Sequence, residues 1–194
     1  MAPYDIRVFG DPVLVTPARD VTEIDGDLVR LADDMLETMY EAPGVGLAAP
    51  QIGVQKRIFV YDIGQGPGVV VNPRITERDG GWEYEEGCLS VPGMSWPITR
   101  SARVHLSGWD LDGNELSVDA DELLARVFQH ETDHLDGVLL LERLDKGQRR
   151  QALRTLRNRA IGLSLEDSRP GPGLRGPNAT PGLRGPNATT AGRD

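Results

Sequence analysis

Cysteine and aromatic residues are scarce in this sequence, and long apolar runs are missing. Aromatic residues make up 5% of the 194 residues, so we expect a core built mainly from Val, Leu and Ile. The single cysteine, Cys88, cannot close an intramolecular disulfide, which favours a reducing compartment. No stretch approaches the roughly 20 apolar residues that cross a bilayer, and residues 1–10 lack the pattern of a secretory signal. We therefore expect a globular, cytoplasmic protein without membrane contacts.

Charge is distributed unevenly along the chain. Residues 1–145 contain 11 basic and 27 acidic residues, whereas residues 146–194 contain 10 basic and 3 acidic ones. An acidic body repels nucleic acid, so no specific DNA binding is expected. The basic run comprises Lys146, Arg149, Arg150, Arg154, Arg157 and Arg159. It is interpreted either as a docking surface for a polyanion or as a solvated helix that packs Leu153, Leu156 and Ile161 onto the body.

The end of the sequence differs from the rest in composition. PGLRGPNAT at 172–180 recurs at 181–189, and each copy has one large apolar residue. Such a segment cannot bury enough apolar surface to offset its chain entropy, so residues 166–194 are predicted to be a disordered tail. The preceding residues 1–165 fit a single domain.

Hydrophobic periodicity predicts helices and short strands within that domain. Apolar residues recur at helical spacing from Leu28 to Met39, after a cap at Asp25 or Asp27 and before Pro43. Strands are predicted at 57–63, 68–75, 103–111 and 115–118, with a tight turn at Asp112 and Gly113. A second helix is predicted to start near Asp119 or Asp121 and to end by Gly137. This order lacks a βαβ rhythm and indicates an α+β fold with antiparallel sheets.

The strongest chemical signal is H-E-x-x-H on the second predicted helix. His130 and His134 are four residues apart, so both imidazoles share one helix face and can reach one metal ion. Glu131 is then close enough to water at that ion to act as a general base. The chain has only three histidines, and two of them lie here. We therefore expect a metal site on this helix.

A catalytic metal site of this kind needs a third protein ligand. Leu140 stands where metzincins supply a histidine, and Glu166 is the only glutamate far downstream, where another class of zincins supplies one. His105 lies in a predicted strand, where it is expected to be a packed or surface residue. Cys88 is the preferred third ligand, because Gly87 before it permits close backbone approach and no second thiol competes.

Three segments together resemble a known family. GVGLAAPQIG at 44–53 taken alone is a weak glycine-rich loop without the spacing of a phosphate-binding motif. With EGCLS at 86–90 and QHETDHLDG at 129–137, in this order and spacing, it resembles the three signature motifs of peptide deformylases. The resemblance covers residues 5–145 and excludes the repeat tail.

The resemblance implies an α+β fold of the peptide deformylase type. Short antiparallel sheets are expected around a central helix that carries HExxH, followed by a C-terminal helix over about 146–163. Cys88, His130 and His134 are the implied ligands of one divalent metal ion, typically Fe(II), with Zn, Ni or Co as substitutes. The implied activity is hydrolysis of the formyl amide of formyl-methionine on nascent peptides, with release of formate.

Roles for other residues also follow from the resemblance. Glu131 is the implied general base and acid for metal-activated water, and the Gln51 amide and the Leu89 N–H are the implied donors to the oxyanion. Removing one such donor typically costs about 2.7–4 kcal/mol in the transition state. A pair formed by Glu86 and Arg100 is expected behind the metal.

The substrate pocket is implied in the same way. Val45, Leu123 and Val127 occupy the family positions that contact the methionine side chain, and Gly46 supplies backbone contacts to the peptide. Simple packing in the hydrophobic core accounts for the apolar side chains of Leu123 and Val127 equally well. The stretch 93–96 is interpreted as a local substrate loop. Some family members dock on the ribosome through a basic C-terminal helix, and the basic run is compatible with that role.

Two other classes of function are open to a chain with H-E-x-x-H. A zinc endopeptidase would cleave internal bonds and take its third ligand from downstream, where the sequence offers little. A binding module with the same fold would have a damaged ligand set or lack Glu131, and all of these residues are present. Deformylase is therefore the preferred hypothesis. Nucleic-acid binding by the basic tail is a further alternative, and the positive charge of the tail is the only feature that supports it.

Overall fold

The fold combines helices with two antiparallel sheets. A computed structural model of the protein describes residues 4–160. The helices and strands of this part are α1 Gly26–Glu41, β1 Gly46–Ala48, β2 Ile58–Tyr61, β3 Gly68–Asp79, β4 Trp82–Gly87, β5 Ser95–Arg100, β6 Arg103–Trp109, β7 Glu115–Asp121, α2 Glu122–Leu135 and α3 Lys146–Ala160. Short 3-10 helices cover Pro12–Val15, Ala49–Ile52 and Leu140–Arg143.

Helix α1 forms where the apolar periodicity predicts it. The Asp25 side chain accepts a hydrogen bond from the Leu28 N–H at 2.9 Å and caps the first turn. Leu28, Met35 and Met39 share one face and are fully buried. Burying one such side chain stabilises the fold by about 1.5–3 kcal/mol, so this face anchors the helix to β1 and β2.

The larger sheet has the strand order β1-β2-β3-β6-β7, and all its pairs are antiparallel. The predicted turn between β6 and β7 is confirmed. Asp110 Oδ1 accepts hydrogen bonds from the N–H groups of Asp112 and Asn114, and Gly113 adopts a φ of +80°. Glycine adopts a positive φ more easily than other residues in the tight turn between two antiparallel strands, which explains the Asp-Gly sequence at this turn.

Strands β4 and β5 pair with each other and were not among the predicted strands. In β4 the Tyr84 side chain is exposed while Glu86 is buried, which is the reverse of the usual polarity pattern. Strand β5 begins at Ser95 and so covers the second half of the stretch interpreted as a substrate loop, and Gly93 before it makes the turn with a φ of +71°. The loop interpretation of 93–96 is therefore wrong for its last two residues.

Helix α2 is central and almost entirely buried. Phe128 contacts the rings of Phe59 and Tyr61 on β2, with centroid separations of 5.8 and 5.1 Å. The other faces of helix α2 carry polar side chains, and one of them, Arg126, is fully buried. A charged side chain that is shielded from solvent needs an oppositely charged or hydrogen-bonding partner. Arg126 therefore requires polar partners in the interior of the protein.

Helix α3 confirms the predicted C-terminal helix up to residue 160. It packs against the body through Ala152 and the half-buried Leu156. Leu153 is 38% exposed, so the expectation that it packs onto the body is wrong. Ile161 and the repeat tail at 166–194 lie outside the described residues. Within residues 4–160, no helix has the length and apolar character needed to span a membrane.

Candidate metal centre and active site

Cys88, His130 and His134 meet at one point between β4 and α2. All three are buried, and their potential ligand atoms lie within 4.8 Å of one another. The Cys88 Sγ is 3.2 Å from His134 Nε2. Spacing of four residues puts both histidines on one face of α2, and Cys88 follows directly after β4. The structure therefore brings together the three side chains predicted as ligands.

One imidazole of this group is oriented by a carboxylate. His130 Nδ1 donates a hydrogen bond of 2.7 Å to Glu86 Oε1. Because Nδ1 is engaged by Glu86, Nε2 is the ring nitrogen left to bind a metal ion at the common point of the three ligands. Arg100 binds both oxygens of Glu86, with Nη2 to Oε1 at 2.6 Å and Nε to Oε2 at 2.8 Å. The predicted Glu86–Arg100 pair is thus present.

The electrostatics of the group favour the thiolate. Burial opposes ionisation of Cys88, but the adjacent imidazoles of His134 and His130 more than reverse this and lower the pKa of the thiol to about 5. Burial also opposes ionisation of Glu86, and its hydrogen bonds from His130 and Arg100 hold the pKa of that carboxyl well below its usual range. The Cys88 thiol and the Glu86 carboxyl therefore both favour the ionised form, whose negative charge stabilises a bound cation.

The donor set fits a divalent transition metal. One thiolate and two imidazoles suit borderline-soft ions such as Fe(II), Zn, Ni and Co. Three protein ligands also leave a coordination position for water or substrate, as catalytic sites require. Glu86 supplies the carboxylate that commonly orients a ligating histidine. The arrangement is that of a catalytic rather than a closed structural site.

Glu131 is buried next to this group and lacks a full set of partners. Its Oε2 has no hydrogen-bond partner among residues 4–160. Burial raises the pKa of its carboxyl to about 7. A carboxyl with a pKa near neutrality can both accept and return a proton at physiological pH. The unsatisfied oxygen is the group that a water or a substrate atom would contact.

A small cavity connects Glu131 with several of the other predicted site residues. Its volume is about 20 Å³, which is enough for one water molecule. It is lined by Gly44, Val45, Gly46, Gln51, Gly87, Cys88, Leu89, His130 and Glu131. Gln51 is held by its Oε1, which accepts from the Ala48 N–H at 2.8 Å, while its Nε2 donates to Ser90 Oγ at 3.2 Å. The side-chain amide nitrogen of Gln51 therefore faces Ser90.

The apolar residues predicted to contact substrate also form one cluster. Val45 and Val127 are buried against each other, and the partly buried Leu123 packs on them. Tyr61 and Ile63 join the same cluster. Tyr61 and Ile63 were not predicted as pocket residues, because they lie outside the three motifs on which the site prediction rests.

His105 lies away from this site, as its strand position predicted. On the exposed face of β6 its Nδ1 is 2.6 Å from Asp119 Oδ1, and its Nε2 is 3.2 Å from Ser117 Oγ. Both partners belong to β7, and the residues form no part of the metal-ligand group. His105 is a surface residue rather than a ligand.

Two charged residues on α2 belong to the site but escaped prediction. Arg126 donates to Glu86 Oε2 at 2.5 Å, and Asp133 accepts from Arg100 Nη1 at 2.9 Å. Arg126 lies one turn before His130, so an i, i+4 spacing was the available signal.

Comparison with known proteins identifies the family. The family model described as Polypeptide deformylase matches residues 3–150. The chain belongs to the peptide deformylase family. A peptide deformylase of Acidothermus cellulolyticus is 51% identical over 157 residues, which are 81% of this chain and 87% of that relative. A second, of Agathobacter rectalis, is 54% identical over 145 residues, 75% of this chain and 92% of the relative.

Solved structures of peptide deformylases share the fold. The enzyme from Thermus thermophilus superposes with a TM-score of 0.77 at 47% identity, over 82% of this chain and 96% of that one. The enzyme from Legionella pneumophila gives 0.78 at 38% identity, over 86% and 100%. Peptide deformylases are metal-dependent hydrolases that remove N-formyl groups from nascent peptides. Family membership confirms the deformylase hypothesis and decides against an endopeptidase or a silent binding module.

Proposed function

We propose that Cys88, His130 and His134 hold the metal ion at which this deformylase hydrolyses formyl-methionyl peptides. The supporting observation is the buried Cys/His/His group beside Glu131, whose Oε2 lacks a partner within residues 4–160. Fe(II) is the proposed metal, because the donor set accepts it and the resemblance favours it. Zn, Ni or Co are the alternatives.

In the proposed mechanism Glu131 is the proton carrier. The metal ion, when bound, supplies Lewis acidity that lowers the pKa of water and polarises the formyl carbonyl. Glu131 takes a proton from water as the water oxygen bonds to the formyl carbon. It returns that proton to the amide nitrogen as the carbon–nitrogen bond breaks. The products are formate and a peptide with a free amino terminus.

Gln51 and Leu89 are the proposed donors to the negative charge that develops on the formyl oxygen. Both line the cavity that also contains Cys88 and Glu131. The Gln51 amide is pre-oriented by its bonds to Ala48 and Ser90. A donor fixed before the reaction stabilises the transition state without a further reorganisation cost.

We propose that Val45, Leu123 and Val127 receive the methionine side chain, while Gly46 contacts the peptide backbone. The three apolar side chains belong to one cluster close to the cavity. An unbranched thioether packs well against such a surface.

The wider setting is proposed from the substrate and from surface charge. Residues 1–165 are proposed as one catalytic domain, and the cytoplasm as its location, because nascent chains are made there. The basic helix α3 presents exposed arginines at Arg149, Arg150 and Arg154. Helix α3 is the proposed contact with the polyanionic ribosome.

Formate release from a formyl-Met tripeptide tests the proposal. The full chain is purified anaerobically, loaded with Fe(II) and checked for one metal ion per chain. We expect formate from the formylated peptide and no internal cleavage of an unformylated one. A fully metallated sample that releases no formate would overturn the proposed function.

A further inference from the structure

Glu86 has more partners than orienting one histidine requires. Its Oε1 accepts from His130 Nδ1, from Arg100 Nη2 and, at 3.1 Å, from Arg100 Nε, and its Oε2 accepts from Arg100 Nε and Arg126 Nη1. Each oxygen thus has at least two donors, which occupy the lone-pair sites of the carboxylate. The carboxylate group is therefore fixed in one plane, and so is the acceptor that His130 uses.

Arg126 is itself held by β4, the strand that carries Glu86. Its Nη2 donates to the Trp82 carbonyl oxygen at 2.7 Å. The guanidinium carbon lies 4.9 Å from the Trp82 ring centroid and 5.8 Å from that of Tyr84. Alternation along a strand puts Trp82, Tyr84 and Glu86 on one face, and a guanidinium over such rings gains cation–π attraction.

We propose that Arg126 is a positioning residue that orients His130 through Glu86. On α2, Arg126 and His130 are one turn apart, and both reach the same buried carboxylate. The pair ties the helix to β4, directly beside Cys88. Removing the guanidinium takes one of the two donors from Glu86 Oε2 and leaves Arg100 as the only other arginine that holds the carboxylate. Glu86 is then held less firmly, and so is the His130 ring that it orients.

The consequence concerns how firmly the site retains its metal. Removing a residue that orients a ligand typically weakens metal binding by about 10–100-fold. Lysine at position 126 would keep the charge but lacks the planar fork that reaches Glu86 and the Trp82 carbonyl together. The expected order of metal retention is therefore wild type, then Arg126→Lys, then Arg126→Met. This inference rests on the proposed metal site.

The test measures metal release and needs no catalysis. The full-length wild type, Arg126→Met and Arg126→Lys are loaded with Co(II), and transfer of the ion to a chromogenic chelator is followed together with the visible spectrum. The control is Arg57→Met. Arg57 is also buried and donates to Asp136 just after α2 at 2.7 Å and to the Pro73 carbonyl oxygen, but it is not among the donors to Glu86.

We expect about 10–100-fold faster Co(II) release from Arg126→Met, an altered visible spectrum, and release near the wild-type rate from Arg57→Met. Folded Arg126→Met with wild-type release would overturn the inference, as would equal acceleration in Arg57→Met. If Arg126→Met does not fold, Arg126→Lys decides, and wild-type release from it would overturn the inference. Failure of the wild-type chain to bind Co(II) would instead refute the proposed metal site.

Discussion

The backbone of Gly46 lies directly against the carboxylate of Glu131. A Cβ atom at residue 46 would overlap Glu131 Oε1 and lie 2.8 Å from the Glu131 Cδ. Both atoms belong to a buried side chain in a cavity of about 20 Å³, so the carboxylate has little room to withdraw. The absence of a side chain at this position therefore sets where the proposed proton carrier can sit.

Gly46→Ala is expected to abolish most of the activity. The added methyl group displaces the Glu131 carboxylate, and misplacement by about 1 Å can reduce catalysis roughly 10²-fold. Steady-state formate release from a formyl-Met tripeptide measures the effect. Gly81→Ala is the matched control, because the nearest atom to a Cβ there is Thr99 Cγ2 at 3.6 Å. Wild-type turnover in folded Gly46→Ala would contradict the close-approach argument.

Glu131→Gln is expected to separate metal binding from catalysis. The amide has the same shape but cannot carry the proton, and a positioned acid or base contributes about 10²–10⁴-fold to rate. Turnover should fall by that factor while the metal content stays at one ion per chain, measured by elemental analysis of the same sample. A variant that loses its metal would show that Glu131 contributes to the ion's retention instead.

The grouping of Cys88, His130 and His134 could be predicted because these residues lie in short contiguous motifs. The Glu86–Arg126 contact could not, since its members come from separate elements. The i, i+4 spacing of Arg126 and His130 indicates a shared helix face but not the carboxylate that both side chains reach. Strands β4 and β5 were missed for a related reason. Glu86 and Arg100 are buried on them as a pair, which reverses the polarity pattern by which half-buried strands are identified.

Gln51→Ala is expected to lower turnover by roughly 10²–10³, the usual effect of losing one oxyanion donor. Because the donor acts on charge that develops in the transition state, kcat should fall more than KM rises. The amide also holds Ser90, so Ser90→Ala serves as the comparison for a lost structural bond at 3.2 Å. Near-normal kcat in Gln51→Ala would remove this residue from the mechanism.

Charge reversal on α3 is expected to abolish co-sedimentation with ribosomes. Arg149→Glu, Arg150→Glu and Arg154→Glu together change the sign of an exposed surface, and like charges repel the polyanionic ribosome. Activity on a free formyl-Met tripeptide should be unchanged, because these side chains are not among the residues that line the cavity.

The control for that experiment makes the same change of formal charge on the body of the protein. Arg19→Glu, Arg30→Glu and Arg78→Glu are exposed positions outside α3. If α3 is the contact, this variant sediments with ribosomes as the wild type does. Equal loss from both variants would show that net charge alone governs the association, and unchanged sedimentation of the α3 variant would exclude this helix as the ribosome contact.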